Sequence, residues 1–174
     1  MLESIQTNIG FVFSDESLLE LALTHKSFDS KSNNERLEFL GDTVLNSIIS
    51  QYLFLKYPEI PEGLLSRIRS QLVKSNTLSK KAKSLKLHKA VRLSKGTLNI
   101  NDLHKKSIYE GCFEALIGAI YLDGGWDQAT LVTINIFSDE LNNISTDDSF
   151  KDPKTELQEL FQSCLLYTSP SPRD

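Results

Sequence analysis

Several residue types and patterns are scarce in this 174-residue chain, and each absence excludes a class of protein. The two cysteines, Cys112 and Cys164, form neither a CxxC pair nor a disulfide framework, which favours a reducing, cytoplasmic setting. The three histidines, His25, His88 and His104, lack the spacing of zinc ligands. The chain has no run of 18 apolar residues, and its first residues lack the basic and apolar regions of a secretory signal. We therefore expect neither a membrane-spanning helix nor secretion.

The net charge of −4 conceals an uneven distribution of charge along the chain. Residues 67–106 hold 12 of the 19 lysine and arginine residues and a single acid, Asp102. A basic segment within an otherwise acidic chain is typical of a protein that binds a polyanion beside a metal site. A pair of solvated, lysine-rich helices explains the same composition equally well.

Apolar residues recur at helical spacing along most of the chain, and no segment alternates as a β-strand does. The fold class predicted is therefore all-α. The predicted helices cover residues 2–9, 17–23, 34–57, 62–73, 75–86, 102–122 and 126–141, and residues 87–101 are expected to be irregular. Ser14 is expected to cap the second of these helices, and residues 123–125, Asp-Gly-Gly, are expected to end the helix at 102–122. Gly111 and Gly118 each cost about 1 kcal/mol relative to alanine inside a helix, so they indicate close approach of another helix.

Three acids in the helix predicted at 34–57 share one face. Glu35, Glu38 and Asp42 are spaced i, i+3 and i+7, which confines them to an arc of about 60°, away from Leu37 and Leu40. Oxygen ligands on one face suit a hard cation such as Mg²⁺. Ordinary solvated acids near a helix start, where negative charge is favourable, explain the same spacing.

Glu114 lies within an apolar helix, where a carboxylate is costly unless it is paired, protonated or bound to a metal. One explanation is an ion pair with Arg36, Arg67 or a lysine. The other is that Glu114 joins Glu38 and Asp42 across a helix–helix contact, as metal sites in helical bundles are built. Two apolar helices that each carry inward acids fit the second explanation better. Mg²⁺ beside a basic surface indicates phosphodiester chemistry.

Residues 34–42, Asn-Glu-Arg-Leu-Glu-Phe-Leu-Gly-Asp, resemble the signature of the ribonuclease III family. Residues 24–28, 61–66 and 113–125 resemble further family segments, in the same order. The resemblance implies the ribonuclease III catalytic-domain helical fold. It also implies a Mg²⁺-dependent homodimeric endoribonuclease, with Mn²⁺ able to substitute. Such an enzyme cleaves double-stranded RNA, leaves 5′-phosphates and short 3′ overhangs, and processes rRNA and mRNA precursors.

The resemblance also implies roles for individual residues. Asp42 and Glu114 are the expected catalytic residues, and Glu38 joins them as a metal ligand. Supporting acids are expected at Glu35 and Glu62, and Phe39 is expected to insert into the partner subunit. The expected RNA-binding residues are Arg67, Arg69, Lys105, Lys106, Thr155, Gln158, Glu159 and Gln162.

One position departs from the family pattern. The family's fourth metal ligand is an aspartate, and the matching residue here is Gly111. Three consequences are open: the neighbouring Glu110, about 100° round the helix, reaches the metal instead, water fills the vacancy, or activity is reduced. The alternative function is therefore a catalytically impaired, dimeric RNA-binding protein of the same fold.

The C-terminal part of the chain is expected to contain only a fragment of a second domain. Residues 1–141 are predicted to form the catalytic domain and residues 142–153 a linker. Residues 154–163 resemble the first helix of an α+β double-stranded RNA-binding domain, and residues 164–174 read as a non-native tail. One helix cannot span two minor grooves, so weak RNA binding with a steep salt dependence is expected.

Overall fold

A computed structural model of the chain describes residues 1–97 and 101–144. Within these ranges the fold is all-α, as predicted, and the single β-bridge joins Thr24 to Arg92. The helices are α1 (Leu2–Ile9), α2 (Glu16–Ala22), α3 (Glu35–Lys56), α4 (Glu62–Leu72), α5 (Ser75–Ser84), α6 (Leu87–Ala90), α7 (Asp102–Ile136) and α8 (Ser138–Asn142). The predicted helix at 154–163, its RNA-contact residues and the tail lie outside the described residues.

Helix α7 is the centre of the fold, which is the position expected of a helix whose middle is apolar on nearly all sides. It packs against α2, α3, α5, α6 and α8, and every residue from 111 to 120 except Glu114 is buried. Gly125, with φ 75° and ψ −174°, breaks the helix where it was predicted to end. The chain resumes a helical course to Ile136, so α7 is two helical segments joined at a kink.

Two glycines let α3 and α7 cross with their backbones in contact. A Cβ atom on Gly41 would lie 1.8 Å from the carbonyl oxygen of Glu114, and one on Gly118 would lie 2.4 Å from the carbonyl oxygen of Leu37. Close helix approach at Gly118 was predicted, whereas the role of Gly41 was not. This crossing sets the first half of α3 directly against the middle of α7.

Two local predictions were wrong. Helix α2 is capped by Asp15, whose side chain accepts a hydrogen bond from the backbone N–H of Ser17, and not by Ser14. The segment predicted to be irregular after α5 contains the short helix α6, because Lys86 adopts a left-handed conformation that ends α5 and allows Leu87 to be buried.

None of the helices in the described ranges has the length and apolar character needed to cross a membrane.

Candidate active site

A cleft of about 520 Å³ lies where α3 meets the first half of α7. Four of the acids singled out in the sequence line it: Glu35, Glu38, Asp42 and Glu114. Glu62 does not line this cleft but a second depression, beside Arg69. The structure therefore brings the acid stripe of α3 and the half-buried acid of α7 into one site, and leaves Glu62 elsewhere on the subunit.

Glu114 is the most perturbed acid in the cleft. Burial, followed by the charges of Asp42, Glu110 and Glu38, raises the pKa of Glu114 to about 8 from an ordinary 4.5. The ion pairs in the described part of the chain are Lys26–Glu35 and Lys81–Glu140, so no cation there pairs with Glu114. The structural ion pair offered as one explanation for Glu114 is therefore not present among these residues.

Glu38 reaches across from α3 and rests against the bare face of Gly111. A Cβ atom on Gly111 would lie 2.6 Å from Oε2 and 3.0 Å from Oε1 of Glu38. Burial, and then the charge of Glu35, raises the pKa of Glu38. The Glu38 carboxylate therefore takes the space that a side chain at residue 111 would occupy.

Asp42 is exposed and has a partner that sequence reasoning missed. Asn46, one turn along α3, donates from Nδ2 to Asp42 Oδ1 at 2.8 Å and to the Asp42 carbonyl oxygen at 2.9 Å. The i, i+4 spacing of an acid and an amide on one helix was the available signal. Asn46 therefore limits the orientations open to the Asp42 carboxylate.

The carboxylates share a cleft without converging on one point. Among residues 1–97 and 101–144, no three His, Cys, Asp or Glu side chains lie close enough together to hold one metal ion. The four acids that line the cleft offer carboxylate oxygens, which are the ligands that hard divalent cations prefer. The donor chemistry fits such a cation.

The residues before α3 form one wall of the cleft. Lys26 donates to Glu35 at 2.7 Å, but both side chains are largely exposed, so the pair adds little stability. Burial, and then the charge of Lys26, lowers the pKa of His25. His25 Nδ1 accepts from the backbone N–H of Ser27 at 3.1 Å, and Ser27 Oγ accepts from the backbone N–H of Ser94 at 3.1 Å. These hydrogen bonds hold the segment in place, and they assign His25 a structural role.

Of the other residues with predicted roles, Phe39 lines the acid cleft and the basic residues do not. Phe39 is 79% exposed, and it lines both the acid cleft and a largely apolar depression of about 790 Å³ that includes Leu122. Arg67 and Arg69 lie on α4, where Arg69 donates to Ser50 Oγ at 2.9 Å. Lys105 and Lys106 lie in the first turns of α7 and, like the two arginines, are half-buried.

The family model described as Ribonuclease-III-like matches residues 15–140. The chain belongs to the ribonuclease III family. It is 45% identical over 162 residues to ribonuclease 3 of Ectopseudomonas mendocina, which covers 93% of this chain and 70% of that protein. It is 43% identical to ribonuclease 3 of Thiobacillus denitrificans, covering 93% of this chain and 71% of that protein. The resemblance drawn from residues 34–42 is thereby confirmed.

Solved structures of the ribonuclease III family share this fold. The nuclease domain of ribonuclease III from Campylobacter jejuni, a structure concerned with flexibility in the region involved in dimer formation, aligns with a TM-score of 0.77 and 38% identity. The alignment covers 82% of this chain and 99% of that domain. Dicer from Pichia stipitis aligns with a TM-score of 0.63 and 28% identity, covering 87% of this chain and 68% of that protein. The predicted ribonuclease III fold is confirmed, and the chain is a member of a family of endoribonucleases.

Proposed function

We propose that this protein is a Mg²⁺-dependent endoribonuclease that cleaves double-stranded RNA to leave 5′-phosphates and short 3′ overhangs. The observation that carries the proposal is the cleft between α3 and α7, in which Glu114 is half-buried among like charges. We further propose that its substrates are rRNA and mRNA precursors in the cytoplasm, in keeping with the family.

The proposed metal ligands are Glu38, Asp42 and Glu114, because all three line the same cleft. Like charges that repel one another in a half-buried cleft are stabilised by a divalent cation, and Glu114 then ionises at neutral pH. Mg²⁺ is the expected ion, and Mn²⁺ should substitute because it takes the same oxygen ligands. When bound, such an ion supplies a Lewis acid that activates water and stabilises negative charge on the phosphate.

The chain's own residues orient this chemistry. Asp42 and Glu114 are the proposed catalytic residues, and Asn46 holds the carboxylate of Asp42 through its hydrogen bond at 2.8 Å. The backbone contact of α3 with α7 at Gly41 fixes the separation of the two helices that carry them. Lys26 lines the cleft and offers a cation to an approaching phosphate.

We assign binding of the RNA backbone to basic residues, and a supporting role beside the metal site to two further acids. Arg67, Arg69, Lys105 and Lys106 are the proposed phosphate contacts of the catalytic domain, because cations near a duplex release its bound counterions. Glu35 lines the metal cleft itself, whereas Glu62 would act from its separate depression.

We propose that the active form is a homodimer joined through Phe39. An aromatic side chain that is 79% exposed, beside a largely apolar depression of about 790 Å³, is a self-complementary surface when a two-fold axis relates two copies. Two such subunits present two clefts, one for each RNA strand.

The proposed domain limits are those of the sequence. We propose a catalytic domain at residues 1–141, a linker at 142–153, the first helix of a double-stranded RNA-binding domain at 154–163 and a non-native tail at 164–174. The end of α8 at Asn142 supports the first boundary.

The test is incubation of the purified protein with a long RNA duplex in Mg²⁺, with single-stranded RNA and EDTA as controls. Cleavage of the duplex alone, only with metal, and with 5′-phosphate and 3′-overhang ends, is expected. A duplex that stays intact would favour the second candidate, an impaired RNA-binding protein, for which Gly111 is the supporting feature. In that case Gly111→Asp would restore cleavage, although its side chain must displace the Glu38 carboxylate.

A further inference from the structure

The Glu38 carboxylate occupies the space beside Gly111 that a side chain at residue 111 would fill. Of the three atoms nearest to a Cβ placed on Gly111, all belong to the Glu38 carboxylate, at 2.6, 2.7 and 3.0 Å. Real Cβ atoms essentially never approach other atoms closer than about 3.0 Å. Glu38 therefore occupies this position only because residue 111 has no side chain.

This contact places the carboxylate of Glu38, a residue of α3, against helix α7. Glu38 belongs to the acid stripe of α3, but its carboxylate lies against the backbone of α7, three residues before Glu114. Any larger residue at 111 must turn that carboxylate away, which is feasible because it is the end of a flexible side chain. Gly111 thus acts on Glu38 and needs no contact with an ion.

A further carboxylate, that of Glu110, belongs to the residue next to Gly111 on α7. Glu110 precedes Glu114 by four residues, so the two side chains lie on one face of the helix, one turn apart. Glu110 is half-buried and, like Glu114, has no ion-pair partner in the described ranges. Glu110 adjoins Gly111 in the chain, and Gly111 is the residue against which the Glu38 carboxylate lies.

We propose that Gly111 positions the Glu38 carboxylate against α7, and that Glu110 supplies a further carboxylate ligand to the divalent cation at this site. The inference rests on the proposed function, because it concerns the same cation. It assigns Gly111 as a positioning residue and Glu110 as a ligand that the cleft-lining residues alone do not reveal.

The test compares Mn²⁺ affinity and thermal stability in variants of the full chain. Mn²⁺ binding, measured by electron paramagnetic resonance, is expected to weaken about 10- to 100-fold in Gly111→Ala and in Glu110→Gln. Gly63→Ala is the control for the first variant, since a Cβ there meets open space, and Glu20→Gln, an exposed acid on α2, controls for the second. Both controls should bind Mn²⁺ like the wild type.

Metal-free stability separates these roles from simple damage to the fold. Glu110→Gln removes one of several mutually repelling charges, so the metal-free variant is expected to melt at a higher temperature than the metal-free wild type. The rise in melting temperature on adding Mn²⁺ is expected to be smaller for the variant than for the wild type. In a Glu38→Gln background, Gly111→Ala should have almost no further effect on Mn²⁺ affinity, because the carboxylate on which Gly111 acts is gone.

The outcomes distinguish the two levels of the proposal. A wild type that binds Mn²⁺ and cleaves RNA, with Gly111→Ala and Glu110→Gln unchanged in affinity, would overturn this inference and leave the proposed function intact. The inference also fails if Gly111→Ala lowers affinity equally in the wild-type and Glu38→Gln backgrounds. A wild type that binds no Mn²⁺ would overturn both.

Discussion

Replacing Glu114 with glutamine should make the stability of the metal-free protein less dependent on pH. The pKa of Glu114 is raised to about 8 in the folded state, from an ordinary 4.5. The folded state therefore binds this proton more tightly than the unfolded state. The stabilisation is complete below pH 4.5 and is lost as the pH rises towards about 8.

The size of the effect follows from the same values. A tenfold change in proton affinity is worth about 1.4 kcal/mol, so a rise from 4.5 to about 8 sets an upper bound of about 5 kcal/mol. Glu114 is partly solvated and its titration is coupled to that of neighbouring acids, so we expect about 2–4 kcal/mol to be observed. Glutamine cannot ionise and removes this contribution.

The assay is urea-induced unfolding in EDTA at pH 5 and at pH 8.5, for the wild type, Glu114→Gln and the exposed-acid control Glu20→Gln. Between pH 5 and pH 8.5, the free energy of unfolding of the wild type and of the control should fall by about 2–4 kcal/mol more than that of Glu114→Gln. Adding Mg²⁺ at pH 8.5 should restore stability to the wild type more than to Glu114→Gln. Equal pH dependence in all three proteins would refute the assignment of Glu114 as a strained, half-buried acid.

Three further predictions concern the helix crossing, the dimer and RNA binding. Gly41→Ala places a Cβ 1.8 Å from the Glu114 carbonyl oxygen, so it should lower the free energy of unfolding by about 3 kcal/mol or more in urea titrations, and an unchanged value would contradict the backbone contact. Phe39→Ala should weaken dimerisation by about 2 kcal/mol in analytical ultracentrifugation without loss of helicity, whereas an unchanged dimer would exclude Phe39 as an anchor. RNA affinity measured with Ca²⁺ in place of Mg²⁺ should fall steeply with salt, and the Lys105→Ala, Lys106→Ala double variant should reduce the slope of log K against log salt by about 2 per subunit. Affinity independent of salt would contradict a phosphate-binding role.

The helices were largely predictable because their signals are local. Apolar periodicity located α3 and the apolar part of α7, and the glycines around Gly125 marked the kink. The two short-range errors, at Ser14 and at α6, arose where neighbouring residues compete to cap a helix or to adopt a left-handed conformation. Such competition depends on tertiary packing, which the local sequence does not contain.

The site was predictable in composition but not in arrangement. The carboxylate stripe of α3 and the acid within α7 were found from spacing and hydrophobicity. The contact of Glu38 with Gly111 and the backbone crossing at Gly41 depend on the relative register of two helices. Asn46 and Lys26 were missed because each acts through one side-chain rotamer. These features require coordinates, since no pattern along the chain specifies how two helices cross.

The central claim is that the carboxylates between α3 and α7 hold a divalent cation for RNA cleavage. The most direct test compares the single-turnover rates at which the wild type and Asp42→Asn cleave a long RNA duplex. Asp42 is exposed, so the substitution should leave the fold and the affinity for RNA unchanged. We predict Mg²⁺-dependent cleavage by the wild type and a rate at least about 100-fold lower for Asp42→Asn. Equal rates for the two proteins, or wild-type cleavage that persists in EDTA, would contradict the account.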